Sequence, residues 1–157
     1  MLAAVARSQH LVAVPAAKRI AYMTLRHKSR EFALQMLFQW DMARQSPGRI
    51  EQHFWKTARA AEPTRKFAHE LFVGAVTQTD AADALISELS ENWRLDRLAS
   101  IDKSILRLAI YEFRFGTAPP KVVIDEALEL AKKFSSDEAP AFLNGILDAV
   151  LKKLSFN

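Results

Sequence analysis

Between residues 93 and 150 the apolar side chains return every three or four positions, and nowhere in the chain do they settle into alternation with a period of two. The stretch reads WRLDRLASIDKSILRLAIYEFRFGTAPPKVVIDEALELAKKFSSDEAPAFLNGILDAV. A three-to-four spacing builds one apolar stripe along a helix, whereas a half-buried strand needs period two. Ile105, Leu106, Leu108, Ala109 and Phe113 share a stripe that opens near Asp102 and stops at Gly116 and Pro119-Pro120. Val123, Ala127, Leu130, Ala131 and Phe134 make a second. Leu143, Leu147, Val150 and Leu154 make a third, with Pro140 placed where only a first helical turn tolerates it.

The same spacing continues upstream. A helix is predicted over 25–44, with Thr24 as N-cap and Phe32, Ala33, Met36, Leu37 and Trp40 inward. Ser46-Pro47-Gly48 ends it. A helix over 50–60 follows, anchored by Phe54 and Trp55, and then one long helix over 65–91 after Glu62-Pro63-Thr64. The expectation is an all-α fold, a single compact bundle of six or seven helices in two packed helical subdomains that divide near residues 91–98. Residues 1–22 are Ala-rich, free of acid and without a clean stripe. They read as a disordered N-terminal extension ahead of a domain over 23–157.

The side chains present exclude several chemistries. There is no cysteine, so disulfides, thiolate zinc sites and a cysteine nucleophile are out, and a reducing compartment fits. The four histidines lack metal-ligand spacing. His69-Glu70 begins like a zinc-protease helix, but Val73 stands where the second histidine belongs. Adjacent acids such as Asp125/Glu126 diverge by about 100° on a helix and cannot flank one reacting atom. No catalytic residue, metal ligand or cofactor is expected, and no apolar run approaches the roughly 20 residues that span a bilayer.

Charge points to a polyanion. Six of the 22 basic residues and none of the 18 acids lie in residues 1–30. Arg26 and Arg30, at i and i+4, share one helical face beside His27, with Lys28 pointing elsewhere and Phe38 two turns further on. Cations beside an aromatic ring suit single-stranded RNA. The same residues also fit a merely solvated helix start with Phe38 in the core. In the last helix Phe142 and Asn144 flank the core stripe, either as a base-reading edge or with Phe142 packed on a neighbour and Asn144 bonded to backbone.

The pieces IDKSILRLAIYEF, VIDEALELAKKF and FLNGILD, in that order and spacing, resemble the NusB family of bacterial transcription antitermination factors. The resemblance extends over about residues 24–154. It implies the same helical fold and a cytoplasmic, non-enzymatic RNA-binding factor. Such a factor binds the boxA element of ribosomal RNA leaders together with the ribosomal protein NusE, joins the RNA polymerase antitermination complex and promotes processive transcription. Matching RHKSREFALQMLFQW to the family places Arg26, His27, Lys28 and Arg30 in its basic RNA-binding cluster, with His27 and Ser29 thinning it. Phe38 falls where the family often has tyrosine. Lys121, Phe142 and Asn144 match positions near the RNA face. Acidic Asp80, Asp83, Glu88 and Glu112 are candidates to complement a basic ribosomal protein. The resemblance also implies a monomer or an RNA-competitive homodimer, and a natural start near Met23. Two other functions fit the same motifs: the NusB-like accessory domain of a ribosomal RNA cytosine methyltransferase, which would need more chain than ends here at Asn157, and a helical protein-interaction module without RNA.

Overall fold

The computed structural model describes residues 15–89 and 95–155, and among these it holds seven α-helices and no strand. They are α1 (Ala16–Ala43), α2 (Pro47–Phe54), α3 (Glu62–Thr77), α4 (Thr79–Leu89), α5 (Ser100–Phe115), α6 (Pro120–Phe134) and α7 (Ala139–Ser155), with a 3-10 turn at Leu95–Arg97 before α5. The all-α expectation holds.

Local chemistry sets the boundaries. Ser46 accepts a bond from the Arg49 N–H at the start of α2, and Pro47 follows in the first turn, where a missing N–H costs nothing. Pro63, Pro120 and Pro140 occupy first turns in the same way. Gly116 ends α5, and a Cβ there would lie 2.7 Å from the Glu112 carbonyl oxygen. Arg44 closes α1 in the left-handed conformation, its N–H bonded to Trp40 O at 2.8 Å.

Several boundaries differ from those predicted, and the helix expected over 50–60 spans Pro47–Phe54. Helix α1 begins at Ala16, inside the stretch read as an extension, while residues 1–14 lie outside the described residues. Thr24 is therefore within the helix, and its hydroxyl donates back to Ile20 O rather than capping. The long helix over 65–91 is two helices. They break at Gln78, where Thr77 and Thr79 hydroxyls donate to Val73 O and Ala75 O.

Helix α5 is the centre, packed by α1, α3, α4, α6 and α7. Its Ile105, Leu106, Leu108, Ala109 and Ile110 are buried. Helix α1 lies along α3 and α5, with α2 against its outer side through edge-on contacts among Phe32, Phe54 and Trp55 at 4.9–5.7 Å. Helix α4 packs on α5 and α7 more than on α3, so the two subdomains divide at Gln78 and not near residues 91–98, part of which lies outside the described residues. The residues of α4 that bury, Ala82, Leu85 and Ile86, explain this, because they complete the core of the α5–α7 layer.

Candidate nucleic-acid interface

Arg26 lies on α1 where that helix crosses the start of α3. Its guanidinium carbon sits 3.6 Å from the centroid of Phe67 and 4.8 Å from that of Tyr22, one helical turn before it. A planar cation stacked on rings is held in place without losing its charge. Its Nε is buried and has no hydrogen-bond partner, and among the described residues no carboxylate pairs with it. The neighbouring Ser29 hydroxyl donates to Thr64 O at the start of α3, which locks the two helices together.

Arg30 behaves differently, and the reading of it as an RNA-facing cation is corrected. It shares a face with Arg26, as the spacing requires, but that face turns inward. Both guanidinium groups approach Phe67, Arg30 at 5.8 Å, and Arg30 lies one turn deeper, beneath α5. It is 4% exposed and makes a two-point pair with Glu112 of α5, Nε to Oε2 at 2.9 Å and Nη2 to Oε1 at 2.8 Å. Burial works against its charge, but the Glu112 pair outweighs this and holds its pKa above the usual arginine value. Glu112, buried as well, cannot complement a protein partner.

His27 and Lys28 are also engaged, at the surface. His27 Nδ1 lies 2.7 Å from Glu126 of α6 and its Nε2 lies 3.1 Å from Glu31. Glu31 further accepts from Lys28 at 3.4 Å and from Lys133 of α6 at 2.9 Å. Burial alone would raise the Glu31 pKa, yet Lys133 and Lys28 together hold it below the ordinary glutamate value. Lys28 and Lys133 keep more than half of their side chains exposed, at 54% and 55%, so both still face an incoming phosphate.

The remaining candidates lie further along. Phe38 is exposed on α1, with Met42 one turn on. Asp41, on the turn between them, bonds Ser100 and Arg107 of α5, and Ser135 at the end of α6 bonds Asp102. The α6–α7 junction and the Phe38 end of α1 thus both meet the start of α5. Lys121 is exposed in the first turn of α6, Asn144 is exposed on α7, and Phe142 is half-buried against the core. The structure brings His27 and Lys28 together at Glu31, sets Arg26 apart against Phe67 and Tyr22, and no described contact joins Lys121 or Asn144 to them.

Residues 27–152 match the sequence model of the NusB family. This chain belongs to the NusB family. A transcription antitermination protein NusB from Koribacter versatilis is 47% identical over 131 residues, spanning 82% of this chain and 90% of its own. A solved structure of T. maritima NusB superposes with a TM-score of 0.74 at 32% identity, over 82% of this chain and 91% of that one. A crystal structure of antitermination factors NusB and NusE in complex with double-stranded RNA matches at TM-score 0.74 and 27% identity, over 83% of this chain and 98% of that one.

Within this NusB-family fold several residues of the candidate interface escape a reading of motifs. Lys133, Glu31 and Glu126 form the link between α1 and α6, and Phe67 supplies the platform for Arg26. A signal existed for the buried pair. Glu112 continues the stripe Ile105, Leu108, Ala109, and Arg30 precedes the stripe Ala33, Met36, Leu37, so each is a charge on an apolar face. Of the other acids proposed for a protein partner, Asp83 is tied to Arg107 at 2.8 Å and Glu88 to Lys153 at 2.9 Å, while Asp80 is exposed. No helix among the described residues is long and apolar enough to cross a membrane.

Proposed function

We propose that this NusB-family protein is an RNA-binding transcription antitermination factor that holds boxA RNA together with NusE. In this reading it works in the cytoplasm as an assembly factor, docking RNA and NusE onto RNA polymerase with no bond made or broken. The observation that carries the reading is Arg26. It is a preoriented guanidinium, held against the rings of Phe67 and Tyr22 and paired with no described carboxylate, on a helix start that also carries exposed Lys28, which shares the carboxylate of Glu31 with exposed Lys133. Phosphates would meet these cations, and exposed Phe38 offers a ring on which a base can stack. The solved NusB–NusE complex with RNA supports the choice of partners.

The test compares boxA RNA with a scrambled RNA of equal length, with NusE present, across a salt series. Wild type should prefer boxA and weaken steeply as salt rises. Arg26→Ala should reduce the slope of log K against log salt by about 0.7, the value of one phosphate contact on a single strand. No preference for boxA over the scrambled RNA would overturn the function, and an unchanged slope in Arg26→Ala would remove Arg26 from it.

A further inference from the structure

The basic start of α1 leads into a second feature that its motif does not include. Between α2 and α3 lies an open cleft of about 460 Å³, lined by Glu51, Trp55, Ala60, Glu62, Arg65, Lys66 and His69. The two are linked through the buried ring of Phe32. Lys28 Nζ stands 5.3 Å from the Phe32 centroid, Phe32 meets Trp55 edge-on at 5.3 Å, and Arg65 stacks over Trp55 at 4.8 Å. Phe67, the platform of Arg26, follows Lys66 directly on α3.

The chemistry of this cleft favours a nucleotide. Trp55 is only half-buried, and its indole with the Arg65 plane forms a stack that a base can extend. Arg65 and Lys66 are exposed in the opening turns of α3, and Lys56 and Arg59 are exposed on the loop that connects α2 to α3. Two acids line the cleft with Arg65 and Lys66. Glu51 is occupied, both its oxygens lying 2.7–2.9 Å from His69 Nδ1, and Glu62 stands in the first turn of α3. That bond fixes the His69 ring and leaves its Nε2 as the nitrogen open to a ligand. An acidic peptide would meet the same charge, but it has no use for a cation-backed indole in an open cleft next to an RNA-binding helix start.

We propose that the α2–α3 cleft is an additional single-stranded RNA subsite, which takes a nucleotide flanking the boxA segment with its base against Trp55 and its phosphate between Arg65 and Lys66. The proposal rests on the RNA-binding reading of α1 and adds a site on the neighbouring helices α2 and α3.

The test uses the full chain with NusE and three RNAs: boxA alone, and boxA lengthened by about six uridines at the 5′ or at the 3′ end, a length within the reach of one single-strand site. One extension should tighten wild-type binding by about tenfold and steepen its salt slope. Arg65→Ala/Lys66→Ala, whose side chains are exposed and leave the core untouched, should lose that gain and about 1.4 of the slope on the extended RNA, while binding boxA alone as wild type does. Trp55→Phe keeps a ring against Phe32 and Phe54 and should lose the part of the fluorescence quenching that only the extended RNA causes. Equal gains in wild type and the double variant overturn the subsite and leave α1 intact. Equal losses on short and extended RNA overturn it too, because the two cations would then act on boxA itself. Loss of NusE binding with RNA binding retained would make the cleft a protein interface. If wild type fails to bind boxA alone, the reading of α1 falls, and the subsite falls with it.

Discussion

Replacing Glu112 with glutamine would keep the shape of the side chain and remove the charge that Arg30 needs. Both partners are buried, with side chains 5% and 3% exposed, so water cannot take the place of the lost carboxylate. Arginine does not discharge, and here pairing already holds its pKa above the usual value, so the variant must bury an uncompensated cation. Breaking such a pair typically costs about 3–5 kcal/mol. Glu126 stands 3.9 Å from Arg30 Nη1 and supplies part of the missing charge, which places the expected loss near the lower end, about 3 kcal/mol. For a chain of this size that is a fall in Tm of about 6–12 °C. The urea midpoint should fall by about 1.5 M for a slope near 2 kcal/mol per M. The apolar double variant Arg30→Met/Glu112→Leu removes both charges, and it should recover at least about 2 kcal/mol relative to Glu112→Gln. Its boxA salt slope should match wild type, because Arg30 is committed to Glu112. A loss under about 1 kcal/mol in Glu112→Gln would refute the role of the pair. A slope reduced by about 0.7 in the double variant would show that Arg30 reaches phosphate after all.

Two further outcomes follow from packing and charge. Gly74 lies where α3 meets α5, and a Cβ there would fall 2.2 Å from Tyr111 Cζ, so Gly74→Ala should cost about 1–3 kcal/mol by urea unfolding, with Gly74→Ala/Tyr111→Leu recovering part of it. Glu31 and Asp41 have folded pKa values below the ordinary carboxylate range. Burial works against this, but Lys133 and Lys28 at Glu31, and Ser100, Arg107 and Lys103 at Asp41, together prevail. Their stabilisation is therefore full above the unfolded values near 4 and is lost as pH falls through the folded ones, so the urea midpoint should drop below about pH 4, and less steeply in Glu31→Gln.

The helices were legible wherever an apolar stripe ran without interruption. The stripes at Ile105–Ala109 and Val123–Ala131 became buried faces of α5 and α6. The junctions were less so. Residues 65–89 keep helical spacing throughout, and the break at Gln78 comes from hydroxyls of Thr77 and Thr79 bonding back to the helix, with no glycine or proline to announce it. The division of the subdomains was misplaced for the same reason, since α4 belongs to the α5–α7 layer by its partners and not by its sequence neighbours. At the interface, the position of Arg26 followed from spacing. The aromatic that holds it, Phe67, lies 41 residues away on another helix and no local pattern ties the two.

The basic helix start shows why counting charge along a motif overstates what an RNA meets. Arg26, Lys28 and Arg30 lie within five residues, but three acids from three helices enter the same space: Glu31 of α1, Glu112 of α5 and Glu126 of α6. Glu112 removes Arg30 outright. Glu126 takes one nitrogen of His27, and Glu31 takes the other. Glu31 is then divided between Lys28 and Lys133, so one negative charge faces two exposed lysines. Four cations, Arg26, Lys28, Arg30 and Lys133, thus face three carboxylates, so about one net positive charge is left over, with Arg26 outside the pairs and two exposed lysines, one of them on α6, sharing Glu31. A phosphate attracted there is held across α1 and α6 at once. In the proposed RNA complex, the affinity therefore depends on the packing that brings Lys133 to Glu31 as much as on the cations of the helix start itself.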